Sequence, residues 1–398
     1  LTATRTKRIL SVQPVCDGGG SEHALIRMAR QLADAGWECH VAVPAPARLA
    51  AEYAAAGVRL HVVAMDRLTT SGSQARWAGY AARWPVTVGR LASLARRLDV
   101  DVVHSNSLHT WHGWAAARLA RRPHVWHARE IVFQSTAALA VERFLTGHFA
   151  DIVIAVSGPV ADQLRRGPDG GGASPARSHG RVVVVHDMPD PVEFRPGLAG
   201  SFRRGAGIGD ATPLVGSLSR LDTWKGIDVL LEAVPLIRAR VPDAELVVAG
   251  AAVPGKEHYA EALRARASTT PGVHWLGHRD DAGAVMSDLD VFVQASTEPE
   301  PYGLVVAEAL ACGVPVVAGD AGGPPEILAQ AASGAGHLVP PGDPVALADA
   351  VVALLEAGPS DSEERGRRSA LLDVRPPDYA ALFDEAAEAG PRHRHRHR

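Results

Sequence analysis

Short, almost wholly apolar runs alternate along the chain with longer stretches in which apolar residues return every three or four positions. Ile9–Gln13 predicts a short buried strand, Pro14–Gly20 a loop, and Ser21–Ala35 a helix stopped by Gly36. Glu38–Val43 is the next strand, and strand, helix, strand at this spacing is a βαβ unit in a parallel sheet. The alternation continues with strands at Val100–His104, His124–His127, Asp151–Val156 and Arg181–Val185, with Ser157 as a helix cap. A second series opens at Pro213: strands Leu214–Ser219, Glu245–Ala249, Val273–Leu276, Val291–Ala295 and Val314–Ala318 interleave with helices Ile227–Ala239 and Gly303–Ala311. Helices Pro344–Glu356 and Pro377–Glu388 follow.

The two series predict an α/β protein of two doubly wound domains, each with its own parallel sheet. The expected boundaries are 1–190 and 191–375, with the proline-bearing stretch Asp187–Pro196 as the connection. Residues 376–390 would form a helix crossing back onto the first domain, and 391–398, an Arg-His tail, would be disordered. Residues 167–180 are rich in Gly, Pro and Ser and read as a mobile surface loop.

Composition narrows the class. The 398 residues are 46% hydrophobic and 21% charged, which excludes wholesale disorder. Three cysteines cannot make a disulfide framework and fit a reducing, cytoplasmic compartment. No uncharged apolar run reaches ~18 residues, and the N-terminal apolar stretch is too short for a secretory signal. The formal charge of −3 hides a basic first half, net +7 over residues 1–195, and an acidic second half, net −14 over 196–390. An anionic partner for the first half, or drift of surface charge between separate domains, both account for it.

Ligands of open α/β sheets bind at the carboxyl ends of the strands, where three segments carry chemistry. Gly18-Gly19-Gly20-Ser21-Glu22 opens a helix; its backbone can approach a phosphate, or it is a flexible turn. It is not the Gly-x-Gly-x-x-Gly of a dinucleotide site, which disfavours a dehydrogenase. Arg220 and Lys225 lie in a strand-to-helix loop, two cations and a helix start suited to a diphosphate that departs with growing negative charge. Only three lysines occur against 38 arginines, so Lys225 is unusually informative. In EPEPYGLVVAEALACGVPVVAGDAGG, Glu308 is a charge inside an apolar helix, suited to accept hydrogen bonds from vicinal ribose hydroxyls. The first amides of that helix, at Gly303, Leu304 and Val305, are free donors, and Glu300 precedes it.

These motifs, with DVVHSNS, HVWHARE, ADIVIAVS, VHWLGHRDD and GGPPEI, resemble the family 4 glycosyltransferases of the GT-B fold over nearly the whole chain. The resemblance implies two Rossmann-like domains facing across a cleft, the first for the acceptor and the second for a nucleotide sugar. It implies that Gly19 and Gly20 meet the donor diphosphate, that Arg220 and Lys225 bind it as leaving group, and that Glu300 holds the sugar hydroxyls. Glu308 would hold the ribose, Gly303, Leu304 and Val305 would offer amides, and His127 would act near sugar and acceptor. It further implies a retaining, metal-independent transfer with no cofactor besides the donor, a UDP- or GDP-sugar, to a hydroxyl acceptor, anionic or lipid-linked acceptors among them. Nucleic acid is not an expected partner.

Two departures stand out. Asp187-Met188-Pro189-Asp190 replaces an Asn-Gly-Val-Asp common in the family, and Tyr302 replaces a common Phe. Residues 74–99 carry Arg76, Arg83, Arg90 and Arg97 at intervals of seven, with Trp77 and Trp84 beside them and Pro85 expected to break the segment into two helices. That stripe suits peripheral contact with an anionic membrane on its inner face, or a helix packing its aromatic side on the sheet. His109-x2-His112, Asp99-x-Asp101 and Asp288-x-Asp290 are not read as metal sites. A nucleotide-sugar epimerase and a noncatalytic sugar-nucleotide-binding protein are the alternatives; donor isomerisation without acceptor would distinguish the first.

Overall fold

A computed structural model describes residues 5–16, 18–66, 74–133, 135–165, 181–198, 201–331, 334–358, 365–366, 369 and 378–390; side chains 74–77 and 201 are outside the description. The surface loop expected at 167–180 and the Arg-His tail lie outside the described residues. The chain divides into two units, Leu1–Asp187 with Pro376–Arg398, and Met188–Arg375.

The first unit holds seven strands: β1 (Arg8–Val12), β2 (Glu38–Val43), β3 (Arg59–Val62), β4 (Val102–Ser105), β5 (His124–Ala128), β6 (Ile152–Ala155) and β7 (Arg181–Val184). All pairs are parallel, in the order β3-β2-β1-β4-β5-β6-β7. Strand periodicity sends neighbours to opposite faces. Ile9, Val41 and Val102 pack with Leu25, Met28 and Leu32 of helix Gly20–Asp34. Leu10, Ala42 and Val103 pack on the other side with Leu91, Ala95 and Ala116. The last helix, Tyr379–Ala389, buries Tyr379, Phe383 and Ala386 in the first of these cores.

The second unit holds β8 (Leu214–Leu218), β9 (Glu245–Ala249), β10 (Val273–Gly277), β11 (Val291–Gln294), β12 (Val316–Gly319) and β13 (Gly336–Val339). They form a parallel sheet in the order β10-β9-β8-β11-β12-β13. Each sheet therefore reverses its winding once, between β1 and β4 and between β8 and β11, and such switch points are where doubly wound sheets bind ligands.

One expectation is corrected. Gln74–Arg97 is a single helix with Pro85 inside it. Ala81, whose carbonyl loses its partner, and Pro85 itself are both exposed, so water can satisfy that carbonyl. Burial of Val88, Leu91, Ala92, Leu94 and Ala95 holds the second half in line.

Candidate functional site

In the second unit, buried β8 delivers Arg220 and a short 3-10 turn, Thr223–Lys225, before helix Ile227–Arg240. Gly226 between them has φ 66°, and a Cβ there would stand 2.0 Å from the Ala295 carbonyl oxygen. Only glycine lets the loop come so close to the exit of β11. Two bonds fasten that approach: the Thr297 amide and hydroxyl donate to the Trp224 carbonyl at 2.9 and 3.3 Å.

The result is a charge pair at the switch point. Lys225 Nζ donates to Glu300 Oε2 at 2.6 Å, both side chains 11% exposed, and lies 4.1 Å over the Trp224 ring. The same carboxylate oxygen accepts from Gln294 Nε2 and Ser296 Oγ, each at 3.0 Å. Gln294 Oε1 in turn accepts from the Gly319 amide at the end of β12. Among the described residues the Arg220 guanidinium makes no ion pair, and Arg220 is exposed. Lys256 pairs with Asp222, which opens the 3-10 turn. Burial opposes the charged form of Asp222, but the hydrogen bond and charge of Lys256 hold its carboxyl below the usual range.

Glu300 also leads into helix Leu304–Ala311, whose cap Gly303 has φ 92°. The Gly323 amide donates to the Glu300 carbonyl at 2.8 Å, and Gly322 packs so tightly there that a Cβ would meet that oxygen at 2.0 Å. Val306 and Ala307 are the first amides of the helix bonded to the Gly303 carbonyl, so Gly303, Leu304 and Val305 precede the intrahelical ladder. Leu304, Val305 and Glu308 are half-buried on one arc of the helix, while Val306, Ala307, Ala309 and Leu310 are buried. That arc presents a carboxylate and two amides together.

In the first unit, Gly19 caps helix Gly20–Asp34, and its carbonyl accepts from the Glu22 and His23 amides. Gly20 is exposed. Beneath the loop, buried Glu22 accepts from the Gly18 amide at 2.6 Å. His127 stands on β5, fully buried, beside the His104 and Tyr379 rings at 5.7 and 6.2 Å. Burial first, then the charges of Arg129 and His104, push its pKa well below the usual histidine value, so it is neutral.

Sequence reasoning missed Gln294, Ser296, Gln13, Asn106 and Arg129. Their signal was position alone: each follows or ends a strand at the carboxyl edge. The aspartates set aside as metal ligands are engaged elsewhere. Asp290 accepts from Arg203 and the Leu214 amide, Asp288 from the Phe202 and Arg203 amides, and Asp101 from the Arg8 amide. Among the described residues no three His, Cys, Asp or Glu side chains are grouped to hold a metal ion.

Both halves of the chain are similar to known proteins. Residues 18–171 match the profile of Glycosyltransferase Family 4, and residues 212–357 that of Glycosyl transferases group 1. A phosphatidyl-myo-inositol mannosyltransferase of Mycobacterium leprae is 39% identical over 42% of this chain and 41% of its own. A GDP-mannose-dependent alpha-(1-6)-phosphatidylinositol monomannoside mannosyltransferase of Mycolicibacterium smegmatis is 32% identical over 63% of this chain and 66% of its own. The chain thus spans less than half the length, 41–45%, of several curated relatives it matches. The crystal structure of Anabaena Alr3699/HepE in complex with UDP and glucose superposes with a TM-score of 0.75 at 26% identity, over 96% of this chain and 99% of that one. With both sheets wound in Rossmann order and both halves matched, the chain belongs to the family 4 glycosyltransferases and has the GT-B fold.

Proposed function

We propose that this chain is a retaining glycosyltransferase that moves a hexosyl unit from a nucleotide diphosphate sugar to a hydroxyl acceptor. The observation that carries the reading is the buried Lys225–Glu300 pair at the switch point of the second sheet, in the same loop as Arg220, which makes no ion pair among the described residues. A diphosphate competes with Glu300 for Lys225 and recruits Arg220, which frees the carboxylate for sugar hydroxyls. Glu308 and the amides of Gly303, Leu304 and Val305 serve the ribose and phosphates. In the first unit, the Gly19 and Gly20 amides serve phosphate and His127 the sugar and acceptor.

The acceptor oxygen attacks C1 on the face from which the diphosphate departs. The C1–O bond to phosphate breaks as the new C1–O bond forms, and the acceptor proton passes to the departing phosphate oxygen. No carboxylate need act as nucleophile, so Glu300 orients and the cations stabilise the growing charge. Because Arg220 and Lys225 supply that charge, EDTA should leave the rate unchanged.

The relatives named above act on phosphatidylinositol-type lipids, and the structural neighbour binds UDP and glucose. GDP-mannose and UDP-glucose are therefore the donors to try first, with an inositol-phospholipid headgroup as acceptor. The basic first half supports an anionic acceptor. No helix among the described residues is long and apolar enough to cross a membrane. Peripheral contact at a cytoplasmic membrane face, through the helix bearing exposed Arg83, Val86 and Arg90, completes the proposal. Trp84 does not join that surface fully, since it packs near His112 and Trp114.

The test is transfer from each donor to phosphatidylinositol vesicles, with the product anomer read by NMR. The proposal expects lipid-linked hexose of the donor's configuration. Inverted product, or isomerised donor with no acceptor present, would overturn it.

A further inference from the structure

One guanidinium in the first unit holds several things at once. Arg129, the residue after β5, has a side chain 6% exposed and an ion pair to Asp187 at 2.5 Å. Its Nε donates to Asn106 Oδ1 at 2.8 Å. Asn106 Nδ2 donates onward to Gln13 Oε1 at 2.7 Å and to the Ser21 carbonyl at 3.0 Å. Gln13 Nε2 reaches the Val15 carbonyl at 2.8 Å. Val15 and Ser21 flank the glycine loop, so both of its ends are fastened to Arg129 through two amide side chains that follow β1 and β4.

The third contact concerns His127. Arg129 Nη2 faces His127 Nδ1 at 3.4 Å. A guanidinium nitrogen can only donate, so Nδ1 must be the acceptor and the imidazole proton sits on Nε2. That Nε2 is fully buried and has no hydrogen-bond partner among the described residues. It is an N–H donor held in a set orientation with nothing to donate to. The rings beside it are those of His104 and Tyr379, and among the described residues no acceptor stands within hydrogen-bond distance of it.

We propose that Arg129 is the positioning residue of the first unit: with Asp187 as counterion, it fixes His127 as the Nε2–H tautomer, poised to donate to a substrate oxygen, and fixes the glycine loop through Asn106 and Gln13. This rests on the glycosyl-transfer reading for the identity of that oxygen, a hydroxyl of the sugar or acceptor. It also gives the departure at Asp187 a role. A carboxylate there, at the end of the unit's first segment, neutralises the buried guanidinium, whereas a lysine at 129 has one ammonium and cannot make three divergent contacts.

The test uses the full chain with Arg129→Lys and, because that variant alone could disturb folding, the near-isosteric Asp187→Asn. Two readouts do not depend on turnover: the nitrogen NMR signature of the His127 ring and hydrogen exchange of the Gly18–Glu22 amides, with β8–β12 amides as internal control. The wild type is expected to show the Nε2–H tautomer and slow exchange. Both variants are expected to mix tautomers and speed exchange in the glycine loop while the control amides stay protected. In an active preparation, kcat should fall about 10²-fold, the scale of losing about an ångström of alignment. Unchanged His127 signals and unchanged exchange in both variants would overturn the proposal. A wild type that transfers no sugar but shows these NMR and exchange responses would overturn the glycosyl-transfer reading and leave Arg129's role standing.

Discussion

At the scale of residues, Lys225 and Glu300 neutralise one another before any ligand arrives. Removing either charge therefore has opposite consequences for nucleotide and sugar. Glu300→Gln keeps the shape and frees Lys225, so affinity for UDP or GDP should hold or tighten while transfer falls about 10²-fold; calorimetry and a transfer assay separate the two. Gly226→Ala forces a side chain into the Ala295 carbonyl at a positive φ, and should lower stability by at least ~2 kcal/mol in urea unfolding. The thiols divide by burial. Desolvation pushes Cys39 up to about 12 and Cys312 to about 11, so native protein should react with a thiol reagent at half-buried Cys16 first, and at all three after denaturation.

At the scale of elements, continuous apolar runs made the strands legible, because a strand covered on both faces has no polar side to hide. Glu38–Val43 and Glu245–Ala249 were readable to the residue. The helix with Pro85 was not, since the pattern cannot say whether packing outweighs one lost hydrogen bond. Pro85→Ala restores that bond on an exposed face, and should raise the melting temperature by a few degrees without altering the packing of Leu91 and Ala95. The site was legible where one segment holds it, as in Glu300 to Glu308. It was illegible where partners are far apart in sequence: Gln13 with Asn106, and Arg129 with Asp187, meet only because the strand order sets their strands' ends on one sheet edge.

At the scale of the whole molecule, buried histidines set the acid limit. Desolvation is the leading cause for each: His124 falls to about 3, and His112 and His40 to about 4, from an ordinary 6.5. The unfolded chain protonates these rings first, so it binds more protons than the folded one between those values. Stability is then present above pH 6.5 and is lost as pH falls toward 3–4, by roughly 1.4 kcal/mol per pH unit for each histidine. Urea midpoints measured from pH 7 to 4 should decline steadily; a flat profile would show the rings exposed or paired.

The central claim is that a nucleotide diphosphate binds where Lys225 now meets Glu300. The direct measurement is isothermal titration of UDP and GDP into the wild type and Lys225→Ala. Loss of one charge-assisted phosphate contact should weaken the preferred nucleotide about 10- to 100-fold. Equal affinity in the two proteins would contradict the account.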